Sequence, residues 1–239
     1  RSPAGDDVYP SSISLPAFET DLVGRRRRRV GILAPGAVLT AIIGRVRGRL
    51  MVVKVYTRRG DTGETGLLFG GRVPKDDPRC DAYGTVDTAV SAMGLARALC
   101  GDAWVKGVLL EVQRDMFVVG SGLATDPSDY GRLRSTFGVV TADMVAKLER
   151  LIDEMNAQIE LPRAFIVPGG SAGSGALDLA RSMVRESERR VVALQGARAE
   201  PKPEVLRYLN RLSDLLFMLA RFEDKDLPAQ LSSGEERAL

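Results

Sequence analysis

Apolar residues recur at helical spacing through most of the chain, and this pattern predicts five helices. We place the helices at about residues 86–97, 104–119, 141–155, 174–195 and 204–222. Each helix carries one apolar stripe, so packing the five side by side would bury all the stripes together. The pattern therefore predicts an all-α fold, a five-helix bundle.

Polar and turn-forming residues mark where these helices begin and end. Thr141 is the expected N-cap of the third helix, because a threonine oxygen can accept a hydrogen bond from a free amide of the first turn. Pro162 ends that region, and residues 165–171 read as a turn before the fourth helix. The tail, residues 224–239, is polar, and we expect it to be mobile.

A glycine- and threonine-rich segment precedes the helices. Residues 52–68 read as a short β-like run followed by a loop. Glycines let backbone amides approach phosphate oxygens, and threonine hydroxyls can add donors, but segments of this kind are also common in plain hairpins. The segment has no Gly-Lys-Ser/Thr ending, so it is not a Walker A loop. A phosphate-binding loop and a simple hairpin both remain open.

Residues 1–50 differ from the rest of the chain. They show no stable period, whereas a regular sequence opens at Met51, where we expect the native start. Residues 1–50 would then be a disordered extension, or sequence from cloning or from upstream. Four acidic residues in this stretch argue against a targeting peptide. No apolar run approaches the ~20 residues that a membrane span needs, so we expect no membrane association.

Charge and cysteine content narrow the function classes. The net charge of +3 depends on the run Arg25 to Arg29, and the remainder is near neutral, so charge gives no argument for nucleic-acid binding. Cys80 and Cys100 form no CxxC pair, which favours neither a disulfide framework nor a zinc site and suits a reducing cytoplasm. The absence of histidine removes the usual general base and the commonest metal ligand. We therefore predict no metal site made by protein side chains alone.

The fourth helix carries charged residues beside its buried seam. The seam consists of Leu177, Ala180, Val184 and Val191. At ~100° per residue, Arg181, Arg185 and Glu188 fall together along the edge of this seam. They can form salt bridges within the bundle, or the arginines can meet a bound anion. Spacing alone does not decide between these interpretations.

Three motifs carry a resemblance to a known family. The runs Val55 to Ala98 and Phe165 to Leu194, together with Tyr208-Leu209-Asn210-Arg211-Leu212-Ser213-Asp214 through Arg221, resemble the PduO-type ATP:cob(I)alamin adenosyltransferases. The resemblance covers residues 52–222 in order and leaves residues 1–50 outside. It implies a ferritin-like five-helix bundle at residues 51–223, with an amino-terminal nucleotide-binding loop at residues 55–75. It also implies a homotrimer with active sites between subunits.

The resemblance assigns two sets of ATP contacts. In the amino-terminal loop they are Thr57, Arg58, Arg59, Gly60, Thr65, Gly66 and Lys75. On the helices they are Arg185, Glu188, Arg189 and Asn210. The implied reaction moves the 5′-deoxyadenosyl group of ATP to the Co(I) of a reduced corrinoid and releases triphosphate. ATP and the corrinoid are substrates, and Mg²⁺ enters with ATP.

Further residues are implied on the corrinoid side. In the family pattern Asp87 pairs with Arg181, and Phe165 matches an aromatic that favours loss of the corrinoid's lower axial ligand. Co(I) is itself the nucleophile, so a histidine-free enzyme is permissible. The electron must come from an external cob(II)alamin reductase, and the product could pass to an adenosylcobalamin-dependent enzyme.

Three positions depart from the family pattern. Thr88 and Val90 replace an acidic residue and an asparagine, and Glu186 replaces an arginine. On the helical wheel Glu186 points away from the edge that holds Arg185, so we expect altered packing rather than a dead site. The main rival is a nucleotide- or corrinoid-binding sensor or carrier of the same fold. A nucleic-acid-associated helical protein is a second rival.

Overall fold

The computed structural model describes residues 43–46, 49–52, 56, 58–197 and 203–238, with Thr57 and most of residues 1–50 outside these ranges. The chain divides into two compact units, residues 1–55 and 56–239. The described part of the first unit is an antiparallel hairpin of β1 (Ile43–Val46) and β2 (Arg49–Val52). The second unit contains all the helices of the described chain.

The second unit is a helical bundle. Its helices are α1 (Pro78–Leu99), α2 (Ala103–Leu123), α3 (Tyr130–Thr136), α4 (Ala142–Asn156), α5 (Ala172–Ala197) and α6 (Pro203–Glu223). The five long helices confirm the predicted bundle. The additional helix, α3, is seven residues long and follows a 3₁₀ turn, and it fully buries only Leu133. So short a helix carries no apolar stripe that periodicity could detect.

Side-chain caps fix where the helices start. Asp77 caps α1 by accepting a hydrogen bond from the Arg79 amide at 2.8 Å. Thr141 accepts one from the Met144 amide at 3.3 Å, which confirms it as the N-cap of α4. Before α5, the hydroxyl of Ser171 accepts from the Ser174 amide at 3.1 Å. These caps satisfy amides that the first helical turn leaves without partners.

The core lies where α1, α2, α4, α5 and α6 pack on one another. Helix α5 packs against both α1 and α6, which places it at the centre of the bundle. All four predicted seam residues of α5 are buried. Burying an aliphatic side chain of this size stabilises the fold by about 1.5–3 kcal/mol. The seam therefore fixes the rotation of α5 and with it the direction of its charged residues.

A polar contact joins α2 to α6 across the core. Tyr208 of α6 is fully buried, and its hydroxyl donates a hydrogen bond to Asp115 Oδ2 of α2 at 3.1 Å. Burial raises the pKa of Asp115, while this hydrogen bond and Lys147 act in the opposite direction. The contact ties α2 to α6 and satisfies a carboxylate that is partly withdrawn from water.

Replacing Tyr208 with phenylalanine is expected to lower the free energy of unfolding by about 1–2 kcal/mol at neutral pH, because Asp115 loses its donor. The pKa of Asp115 is higher in the folded protein than in the unfolded chain, so the folded state favours the protonated carboxyl. The stability that Asp115 contributes is therefore lost as the pH rises through the folded pKa. Removing the Tyr208 hydroxyl raises the folded pKa of Asp115 further. The loss of stability caused by Tyr208→Phe should therefore be smaller at about pH 4 than at neutral pH. Urea unfolding of the wild type and of Tyr208→Phe, at neutral pH and at about pH 4, measures this difference in stability.

The matched control is Tyr83→Phe, since the Tyr83 hydroxyl donates to a weaker acceptor, Cys80 Sγ, at 3.1 Å. It should cost less than Tyr208→Phe. Equal losses for the two variants, or a Tyr208 deficit that does not change with pH, would contradict this account.

The carboxyl-terminal tail corrects the expectation of a mobile polar segment. Strands β5 (Pro228–Gln230) and β6 (Glu236–Ala238) form an antiparallel hairpin. Ala229 and Leu231 are buried, because alternate residues of the strand face the protein. Among the described helices, none combines the length and apolar character that crossing a bilayer requires.

Candidate active site

The glycine-rich segment folds as a hairpin that sits on the bundle. Strands β3 (Glu64–Gly66) and β4 (Arg72–Pro74) pair antiparallel, with Thr65 opposite Val73. The amide of Leu68 donates to the carbonyl of Ala124 at the end of α2, at 3.0 Å. This bond anchors the hairpin to the helices and leaves residues 58–63 as an exposed turn before β3.

The exposed turn is held in shape from both sides. Arg72 Nη2 donates to the carbonyl of Arg59 at 2.7 Å, and the amide of Lys75 donates to the carbonyl of Gly63 at 2.9 Å. A Cβ at Gly60 would lie 3.2 Å from Lys75 Nζ, so the bare glycine leaves room for the ammonium group. The predicted residues Gly60 and Lys75 are therefore in contact, and Lys75 is exposed.

Thr65 is tied to the first helix. The hydroxyl of Tyr83, on α1, contacts Cys80 Sγ and receives a hydrogen bond from the Thr65 side chain. Burial raises the pKa of Tyr83 to about 12, with Cys80 adding to the shift and Thr65 opposing it. Tyr83 therefore stays protonated at physiological pH and positions β3 against α1.

A first cavity, the loop cavity, opens where the hairpin meets α1 and the far end of α5. Its volume is about 790 Å³, and Lys75, Asp81, Thr88 and Arg190 contribute to its wall. Arg190 pairs with Asp81 at 2.9 Å. Thr88, one of the departures from the family pattern, donates its hydroxyl to the carbonyl of Gly84 at 3.1 Å within α1. Lys75 is therefore the cation in this wall that lacks a carboxylate partner among the described residues.

A second cavity, the helix cavity, lies between α4, α5 and α6. Its volume is about 440 Å³, and its wall includes Arg181, Arg185 and Arg211. Arg211 Nε lies 2.9 Å from Glu149 Oε1, and this hydrogen bond raises the pKa of the guanidinium. Arg181 and Arg185 line one cavity because they are four residues apart on one helical face.

Glu188 and Asn210 are also brought together. The Asn210 amide nitrogen donates to Glu188 Oε1 at 3.2 Å, and its carbonyl oxygen accepts from Arg211 Nη1 at 3.0 Å. The link joins α5 to α6 beside the helix cavity. It leaves Glu188 ordered near Arg185, on the same edge of α5.

The arginines of α5 and α6 differ in whether they have carboxylate partners. Five are paired: Arg181 with Asp178, Arg190 with Asp81, Arg207 with Glu204, Arg211 with Glu149, and Arg221 with Asp178. Arg185 and Arg189 are exposed and, among the described residues, have no such partner. Unpaired guanidinium groups are the side chains best suited to bidentate contacts with phosphate oxygens.

A buried ion pair lies behind the helix cavity and was missed from the sequence. The side chain of Arg221 is 2% exposed and that of Asp178 is 5% exposed, with Nη2 and Oδ2 2.5 Å apart. Asp178 also accepts from Arg181 Nε at 3.3 Å. One charged residue within each of two facing apolar stripes is the signal that could have revealed this pair.

The predicted pairing of Asp87 with Arg181 is not formed within one chain and stays a prediction. Within one chain Arg181 binds Asp178, three residues earlier on the same helix, whereas Asp87 of α1 is exposed and has no partner among the described residues. The i, i+3 spacing explains why Asp178 takes the guanidinium.

Glu186 lies where the helical wheel predicts. It contacts Arg190 at 3.7 Å, on the side of α5 that faces the loop cavity. Arg185 lines the helix cavity instead. The acidic residue at position 186 therefore does not change the sign of the charge around Arg185.

Phe165 stands apart from both cavities. Its side chain is 85% exposed, on the segment that leads into α5. An exposed aromatic ring of this kind has a large apolar surface available for a ligand or for another chain.

Within one chain, the predicted ATP contacts fall into two groups. Gly60, Thr65 and Lys75 lie at the hairpin beside the loop cavity, whereas Arg185, Glu188 and Asn210 lie at the helix cavity. Arg58, Arg59 and Gly66 are exposed on the same hairpin as Lys75. Neither group alone surrounds a nucleotide.

Comparison with known proteins gives one consistent result. The family model for cobalamin adenosyltransferase matches residues 55–223. A corrinoid adenosyltransferase from Citrobacter freundii is 39% identical over 171 residues, spanning 72% of this chain and 95% of that protein. A corrinoid adenosyltransferase from Bacillus subtilis (strain 168) is 42% identical over 175 residues, spanning 71% and 86%.

The fold agrees with solved structures. The structure of a variant PduO-type ATP:corrinoid adenosyltransferase from Lactobacillus reuteri, complexed with cobalamin and ATP, aligns with a TM-score of 0.69. It is 31% identical and covers 78% of this chain and all of the other. The helical bundle, the order of the motifs and the relatives' identity over nearly their whole length lead to one assignment. The chain belongs to the cobalamin adenosyltransferase family.

Proposed function

We propose that this chain transfers the 5′-deoxyadenosyl group of ATP to the Co(I) of a reduced corrinoid, forming adenosylcobalamin and releasing triphosphate. The observation that carries the proposal is that Lys75, at the loop cavity, and Arg185 and Arg189, on α5, are exposed cations without carboxylate partners among the described residues, whereas Arg181 and Arg190 of α5 are paired. The chain leaves these three groups available while it neutralises their neighbours. A triphosphate supplies the multiple negative charges that they would meet.

The chemistry requires positioning and charge stabilisation. Co(I) donates an electron pair to the ribose 5′ carbon, the cobalt–carbon bond forms, and the carbon–oxygen bond to triphosphate breaks. Cobalt ends as Co(III), and the triphosphate leaves with the electron pair of the broken bond. No base is needed to activate the nucleophile, so the absence of histidine is no obstacle. Lys75, Arg185 and Arg189 would stabilise charge on the leaving group, and Mg²⁺ enters with ATP.

A complete site would form between two copies of the chain. The loop cavity with Lys75 and the helix cavity with Arg185 are separate in one chain. In a head-to-tail ring, the loop cavity of each copy would face the helix cavity of its neighbour. We propose a homotrimer on this basis. Asp87, exposed on α1, would then be free to meet Arg181 of the neighbouring subunit.

The corrinoid would bind on the side of Phe165. The lower axial ligand of the corrinoid stabilises oxidised cobalt. An exposed aromatic side chain such as Phe165 can displace this ligand and so make Co(II) easier to reduce. An external cob(II)alamin reductase would supply the electron, and an adenosylcobalamin-dependent enzyme would receive the product. Cys80 and Cys100 are free thiols, which suits a reducing cytoplasm.

The direct experiment is anaerobic incubation of the protein with ATP, Mg²⁺ and chemically reduced cobalamin. The expected product is a light-sensitive cobalt–carbon compound, formed together with triphosphate. Tight ATP binding with no product would contradict the transferase and favour a sensor or carrier of the same fold.

A further inference from the structure

The carboxyl-terminal tail is bonded to the segment that carries Phe165. The amide of Val167 donates to the carbonyl of Gln230 at 2.7 Å, and the amide of Ser232 donates to the carbonyl of Phe165 at 2.9 Å. Ile166 and Leu231 face each other as an antiparallel pair between these bonds. Residues 165–167 therefore extend the tail hairpin as an additional short strand.

The same tail also contacts the following turn. The Asp224 carboxylate packs against Gly170, and a Cβ at that glycine would collide with it. Residues 224–232 thus hold both ends of segment 165–170. The family match ends at residue 223, so the tail residues that make these contacts lie outside the part of the chain that the family model covers.

The hairpin is attached to this segment and not to the bundle core. Leu231 and Ala229 are buried, but neither belongs to the apolar cluster that the helices form. Loss of the tail would leave the packing of the five long helices in place. Its structural effect would fall on segment 165–170.

Phe165 depends on this support more than a core residue would. Its ring is 85% exposed, so side-chain packing within the chain does little to fix it. Its position comes from the backbone, which the tail holds through strand pairing. A misplacement of about 1 Å at a site can lower a rate about a hundredfold.

We propose that the tail hairpin, residues 228–238, is a positioning element that sets Phe165 against the corrinoid, an inference that rests on the proposed function. The element acts through the backbone of residues 165–167, with Leu231 as its apolar anchor. It governs the step that needs Phe165, which is removal of the lower axial ligand from Co(II). It does not govern alkyl transfer from ATP to cobalt that is already reduced.

The test compares Leu231→Asp with a matched control, Leu227→Asp. Both variants place a carboxylate in the tail, but Leu231 is buried whereas Leu227 is exposed. With cob(II)alamin and a reducing system, Leu231→Asp should lower turnover about tenfold and lower the four-coordinate Co(II) signal in the electron paramagnetic resonance spectrum. Leu227→Asp should behave like the wild type.

Two further arms separate the tail's role from the function itself. With chemically prepared Co(I), and with a corrinoid that lacks the lower nucleotide base, Leu231→Asp should stay within about twofold of wild type. Adding Leu231→Asp to Phe165→Ala should cause no further loss, because both act at one step. Wild-type protein that is inactive with Co(I) would refute the proposed function rather than the role of the tail.

Three results would overturn the inference. They are equal turnover of Leu231→Asp and Leu227→Asp with Co(II), a comparable loss for Leu231→Asp with Co(I), and additive losses with Phe165→Ala. Thermal unfolding of each variant checks that the helical bundle remains folded.

Discussion

Replacing Arg185 with alanine is expected to lower kcat/KM about a hundredfold, which corresponds to ~3 kcal/mol of lost transition-state stabilisation. Arg185 is exposed at the helix cavity and has no carboxylate partner among the described residues. Its removal therefore breaks no ion pair in the described chain, and the free energy of unfolding should change by less than about 0.5 kcal/mol.

Steady-state kinetics with chemically reduced cobalamin, together with urea unfolding, measure the two effects. Arg207→Ala is the matched control, because Arg207 is an exposed arginine on α6 whose carboxylate partner among the described residues is Glu204. Arg185→Lys should recover part of the loss, since an ammonium keeps the charge but not the two-pronged geometry. Wild-type turnover in Arg185→Ala would remove this residue from the proposed triphosphate site.

Replacing Arg221 with methionine is expected to lower the free energy of unfolding by about 3–5 kcal/mol. The guanidinium and its partner Asp178 are both almost fully buried. Methionine fills part of the volume but leaves Asp178 as a buried carboxylate with Arg181 as its remaining partner. The penalty is that of an undercompensated charge in a medium of low polarity.

Two comparisons make this result specific. The double variant Arg221→Met, Asp178→Leu should regain most of the lost stability, because no buried charge is left unpaired. Arg190→Met removes a half-exposed pair with Asp81 and should cost about 0–1 kcal/mol. Urea unfolding at one fixed protein concentration is required, because association would shift the apparent stability. A cost for Arg221→Met no larger than that for Arg190→Met would contradict the account.

Much of the bundle could be predicted because its helices are long and amphipathic. The apolar seam of α5 determines which face of this helix is buried. From that seam the helical wheel predicts that Arg181, Arg185 and Glu188 share an edge and that Glu186 points away from it. The structure shows the same arrangement. Thr141 was predictable for a local reason, since a cap depends only on the next few residues. The short helix α3 left no signal because it buries so little apolar surface.

The features that escaped prediction depend on distant partners. Arg221 and Asp178 are 43 residues apart, so only the packing of α6 on α5 brings them together. The tail hairpin could not be foreseen, because its burial relies on a segment about 65 residues earlier in the chain. The contact of Arg181 with Asp178 within one helix was also not foreseen, and the pairing of Arg181 with Asp87 that the family pattern implies stays a prediction.

The proposed active site combines the loop of one subunit with the helices of its neighbour. Chains carrying Lys75→Ala and chains carrying Arg185→Ala, each nearly inactive alone, can be coexpressed in equal amounts and purified as mixed oligomers through two different tags. In a head-to-tail trimer that contains both kinds of chain, about one third of the interfaces would pair an intact loop with an intact helix cavity. The purified mixed trimers should therefore recover about one third of wild-type turnover. Mixed oligomers that remain as inactive as either parent would contradict this arrangement.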